Sequence, residues 1–172
     1  ANKDADGAAR EWRTLLNDFP DFICAFEDGA METGLQALLR LSEILGDGDN
    51  AAEAVKYCQM IIERYWDRDV LGQKAQAHAF QTVRKITQFH PLAYEACENE
   101  AGKLLDAAQK NNDFAVCEKI LRLYPNAKTA LKALRLAAEL CKTAEPSGRL
   151  AALLNAFLSS YPSAEVEISA TA

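Results

Sequence analysis

The apolar positions of this chain fall at helical spacing almost throughout, and one helix ending is echoed five times. Four copies end in a ring followed by proline: Phe19-Pro20, His90-Pro91, Tyr124-Pro125 and Tyr161-Pro162. A fifth, Tyr65-Trp66, carries tryptophan in the proline slot. Eight residues before these anchors stand Trp12, Cys58, Val83, Cys117 and Leu154. Five before stand Leu15, Ile61, Ile86, Ile120 and Phe157, and four before stand Leu16, Ile62, Thr87, Leu121 and Leu158. Spacings of three and four residues place all of these on one helix face. Self-similarity on this scale is the mark of a helical repeat array.

The same periodicity predicts eight helices. They run over about residues 6–18, 21–45, 51–65, 70–89, 92–109, 112–124, 126–142 and 148–160. Pro20 stops the first, because proline lacks the next N–H. The second has a possible break at Asp28-Gly29. Gly46-Asp47-Gly48-Asp49-Asn50 reads as a loop with a cap for the third, and Asp67-Arg68-Asp69 as a short turn. Asn111, Asn112 and Asp113 break and cap the chain between the fifth and sixth. Glu145-Pro146-Ser147-Gly148 separates the last two. Short connections make neighbouring helices antiparallel. One stripe per helix needs a neighbouring hairpin to cover it, so the expectation is an all-α superhelix, a solenoid, forming one domain over 1–172. A closed bundle is the alternative, but it has no need of one ending five times.

The anchors are 46, 25, 34 and 37 residues apart. The interval from Pro91 to Pro125 equals the tetratricopeptide period of 34. Over residues 71–162 the chain resembles the tetratricopeptide-repeat family: Ala79, Val83, Ile86 and Pro91, then Cys117, Ile120 and Pro125, then Leu131 and Leu134, follow its template. The endings Leu121-Arg122-Leu123-Tyr124-Pro125 and Leu158-Ser159-Ser160-Tyr161-Pro162 look like a bacterial subfamily of envelope assembly and trafficking proteins. Arg135 and Asp113 depart from the template, where the family has small residues, whereas Ala101 matches. The interval of 37 needs an insertion at Ala144–Ser147. The 25 residues from Trp66 to Pro91 are too few for two helices, so the register breaks there.

Composition narrows the reading. Hydrophobic residues make up 49% of the 172, and five prolines and eight glycines are few, so a packed helical core is expected. The net charge is −6, which repels nucleic acid. Lys119, Arg122, Lys128, Lys132 and Arg135 form the one basic cluster, and it reads as a solvated helix face. No apolar run approaches the ~20 residues that cross a bilayer. Five cysteines without a CxxC pair, Cys24, Cys58, Cys97, Cys117 and Cys141, suggest neither a disulfide framework nor zinc. They read as small buried hydrophobes and favour a reducing, cytoplasmic setting. The envelope resemblance implies a periplasmic one. The start at Ala1, without Met or a signal stretch, and a new helix beginning at Pro162-Ser163-Ala164 suggest a piece of a longer chain.

Catalytic motifs are missing: there is no GxGxxG, GK[ST], GxSxG or HExxH. An EF-hand loop from Asp47 fails, since Ala52 and Cys58 stand where glycine and an acid belong. His78 and His90 are twelve residues apart, about 18 Å along one helix, too far to share a metal. His90 stands for a ring of the echo. Glu98 and Glu100 face different directions, and Asp67 and Asp69 read as turn chemistry. Trp66 needs no inward position and is a candidate exposed anchor.

These readings point to a protein that is not an enzyme and takes no cofactor or metal: an interaction module or scaffold offering a helical groove to a peptide or partner protein. The family resemblance places the groove on the helices at 92–109 and 126–142. Its positions there are Glu95, Glu98, Gly102 and Leu105, then Thr129, Lys132, Leu136 and Glu139. The second reading is a spacer or self-associating segment of a larger protein. An all-α enzyme is the third.

Overall fold

The computed structural model describes residues 3–26, 29–70, 72–143 and 147–160. Helix dominates, as the periodicity predicts. The α-helices are α1 (Lys3–Asp18), α2 (Thr33–Gly46), α3 (Ala51–Arg64), α4 (Ala75–Phe89), α5 (Glu95–Asn111), α6 (Phe114–Leu123), α7 (Thr129–Thr143) and α8 (Ser147–Ser160). A 3-10 turn covers Pro91–Tyr94. Two short antiparallel hairpins interrupt the helices: β1 (Ile23–Phe26) with β2 (Gly29–Glu32), and β3 (Asp69–Val70) with β4 (Gln73–Lys74). The chain divides into two compact units, residues 1–94 and 95–172.

In the first unit α2 packs on α1 and α3, α3 packs on α4, and α2 also touches α4. Helix α2 is the centre, with Leu35, Ala37, Leu38 and Leu41 at 0% exposure. Its sequence carries only Arg40 and Glu43 as charges, so almost its whole surface can be covered without stranding a charge. Its start is held by carbonyls: the N–H of Thr33 donates to Phe22 O at 2.7 Å and that of Gly34 to Pro20 O at 2.8 Å. These satisfy two of the orphan donors of a helix N-terminus.

In the second unit α5 packs on α6, α6 on α7 and α7 on α8, and α5 also meets α7. Asp113 caps α6, accepting from the N–H groups of Ala115 at 2.9 Å and Val116 at 3.2 Å. Asn112 is left-handed at φ 51°, and the Asp113 N–H closes onto Ala108 O at 3.0 Å. That is the six-to-one bond of a Schellman ending, so the Asn-Asn-Asp break works as its sequence suggests.

The echoed ending is one physical object. In four copies the ring residue donates its N–H to the carbonyl four back: Phe19 to Leu15 at 3.0 Å, Tyr65 to Ile61 at 2.9 Å, His90 to Ile86 at 2.8 Å, and Tyr124 to Ile120 at 2.8 Å. Each ring residue's carbonyl then accepts from three residues on, at Phe22, Arg68, Ala93 and Ala127. This is a helix end followed by a β-turn whose second position suits proline. Tyr65, before tryptophan, sits at ψ 22°, whereas His90 and Tyr124 sit at 71° and 46°. Proline pushes its predecessor out of the helical region. The copy at Tyr161-Pro162 lies outside the described residues.

Several predicted boundaries are corrected. The stretch 21–45 is not one helix: the hairpin of β1 and β2 occupies its first part. There the period is two, with Cys24 half-buried and Met31 buried while Ile23, Ala25 and Ala30 are exposed. Val70, Gln73 and Lys74 belong to the second hairpin, whose Gly72 has φ +79°, a value that a side chain disfavours. The helices predicted from 92, 112 and 126 start at Glu95, Phe114 and Thr129: the turns after His90 and Tyr124 take up the residues before the first and third, and left-handed Asn112 with the cap Asp113 those before the second. Phe19 is 51% exposed and so is not a core ring. Among the described residues between Trp66 and Pro91 there is one helix, α4, and a hairpin, which accounts for the short interval.

Candidate interaction surface

The residues that the sequence offers for binding lie on α5 and α7, which pack against each other in the second unit. Both helices bury small side chains. Ala101 and Ala108 of α5 and Ala133 and Ala137 of α7 are each at 0% exposure. Of the candidate positions, Glu95, Lys132 and Glu139 are exposed, and Glu98, Gly102, Thr129 and Leu136 are half-buried. Leu105 is 5% exposed and serves the core. Glu98 has a job within the fold. Both its carboxylate oxygens accept from the Lys128 N–H, at 2.8 and 3.1 Å, just ahead of α7. A carboxylate at that end also meets the positive pole of the helix dipole. Thr129 Oγ1 is buried there without a hydrogen-bond partner.

The surface therefore presents an acid at the start of α5 and a lysine and an acid on α7. It can form screened ion pairs with a partner of mixed charge, each worth under about 1 kcal/mol.

Cys58 and Cys117 are fully buried at the same position of the echo, and burial pushes the Cys117 thiol up to about 11. The Cys117 thiol is therefore not poised as a nucleophile. Cys24, Cys97 and Cys141 are half-buried. His78 lies in α4 with its Nδ1 3.3 Å from Gln73 Nε2, and burial lowers its pKa. His90 stands just past the end of the same helix. Among the described residues, no three His, Cys, Asp or Glu side chains gather in a way that could hold a metal, and no helix is long and apolar enough to cross a membrane. Trp66 is 53% exposed.

Sequence reasoning missed two features of the first unit. Arg13 of α1 clasps Glu53 of α3 at 2.9 and 3.0 Å, and the Tyr57 hydroxyl donates to the same carboxylate at 2.7 Å. The Tyr57 hydrogen bond, then Arg13, holds Glu53 below its ordinary value against the cost of burial. Partners 40 residues apart leave no local signal. The other feature is the apolar flank of β1, where Phe22 is 65% and Ile23 70% exposed. The short apolar run Phe22-Ile23-Cys24-Ala25-Phe26, bounded by Asp21 and Glu27 in the sequence, is the signal that could have found it. No protein-family model, no curated protein and no solved structure matches the chain.

Proposed function

We propose that this chain is a non-enzymatic interaction module of tetratricopeptide-like repeats, whose α5–α7 face binds a peptide or partner protein. The observation that carries the reading is the recurrence of one helix ending with the same two hydrogen bonds at Phe19, Tyr65, His90 and Tyr124. Repetition of a structural unit, rather than a single convergent cluster of reactive groups, is how solenoids build extended binding surfaces. The pairing of α5 with α7, with α6 touching both α7 and α8, adds support within the second unit. Glu95, Lys132 and Glu139 supply the exposed charges, and Leu136 the apolar contact.

The test is a pull-down with the full chain beside a Lys132→Glu, Glu139→Lys variant. Glu98 is left intact because it holds the Lys128 N–H. The expected result is a protein retained by the wild type and lost by a variant of unchanged helicity, with the loss reproduced using the purified partner. If every retained protein is equally retained by the folded variant, the assignment to this face fails and the spacer reading gains.

A further inference from the structure

The first hairpin leaves one strand open. The register pairs Cys24 with Met31 and Phe26 with Gly29, and the Thr33 N–H donates to Phe22 O at 2.7 Å. Positions 22, 24 and 26 therefore point their backbone groups toward β2. In an antiparallel pair the alternate residues point theirs the other way, so Ile23 and Ala25 turn N–H and C=O to the outer edge of β1. Among the described residues the sheet has two strands. An exposed edge of this kind is a ready template for another strand. Its flank is apolar: Phe22 and Ile23 are 65% and 70% exposed, and Phe22 meets Phe19 edge-on at 6.4 Å.

The charges decide the occupant. Strand β1 carries none, but exposed Asp18 and Asp21 precede it. A second copy of β1 would bring no basic side chain to these acids, which disfavours self-pairing. The same acids favour a strand with basic ends. We propose that the outer edge of β1 binds an extended peptide segment of a partner protein, apolar in the middle and flanked by lysine or arginine, by strand addition. This proposal uses none of the α5–α7 residues and does not depend on their reading.

The test uses the full chain, isotopically labelled, and two capped peptides of alternating valine and threonine. One has two lysines at each end and the other two glutamates. The lysine peptide is expected to shift the Ile23 and Ala25 amides and slow their exchange. It should bind about tenfold or more tightly than the glutamate peptide, and the advantage should shrink with added salt. Ala25→Pro removes an outward N–H and should weaken binding by about tenfold. Should that variant not fold, Asp21→Lys should narrow the preference between the two peptides. Equal affinities, or no response at the Ile23 and Ala25 amides, overturn the proposal. A concentration-dependent dimer that involves these amides would assign the edge to a second copy instead.

Discussion

Two glycines show how differently one residue type can be constrained. A Cβ at Gly34 would stand 2.7 Å from both Pro20 O and Tyr65 Oη, because the end of α1, the start of α2 and the end of α3 converge there. Backbone cannot yield cheaply, so Gly34→Ala should cost about 2 kcal/mol or more, read as a lowered denaturant midpoint. A Cβ at Gly102 would meet nothing within 4 Å. There the entropy gain of alanine in a helix should win, and Gly102→Ala should stabilise by about 0.5–1 kcal/mol. His78 gives a prediction in pH. Burial lowers its folded pKa, so the unfolded chain binds the proton more readily. Its contribution is fully present above the ordinary histidine value and is lost as pH falls through the lower folded value. Thermal melts should show a drop below roughly pH 6.5, and His78→Gln should shrink it.

The element is where the chain repeats itself. Each described ending joins its helix to the next segment through the same two bonds, but the continuation differs. After Phe19 and Tyr65 comes a hairpin, closed when the first residue of the next helix donates back, Thr33 to Phe22 and Ala75 to Arg68, both at 2.7 Å. After His90 and Tyr124 the next helix comes with no hairpin between. The ending was legible from residue spacing because proline and the helix period act locally. The hairpins were harder to read. A strand of four residues competes with helix on weak propensities, and pairing across the turn decides it. The cap on α6 is local too, so Asp113→Ala should cost about 1 kcal/mol, measured by chemical unfolding. Glu98 stands in contrast, since its partner is 30 residues away. Glu98→Gln should lose about 1 kcal/mol of its charged hydrogen bond and should be judged on stability before any binding result is interpreted.

At the scale of the whole molecule, the two compact units each carry a buried core. The first is built on α2 and the echo positions Cys58, Ile61, Val83 and Ile86, the second on Ala101, Cys117, Ile120 and Ala133. Residues 1–94 expressed alone should therefore give a cooperative melt with helical circular dichroism; a broad, sloping loss of signal would show that this core is not self-sufficient. By itself the sequence determined the helical class, the faces that pack, and the places where helices stop. Those depend on the 3.6-residue period, on proline's missing N–H and on short polar caps, all set within a few residues. Only the tertiary structure decided that α2 is enclosed by its neighbours, that Phe19 and Phe22 are left outside, and that Leu105 is core while Glu95 is surface. It also gave Arg13 and Glu98 their distant partners. Burial and long-range pairing depend on which elements meet, and no local pattern carries that information.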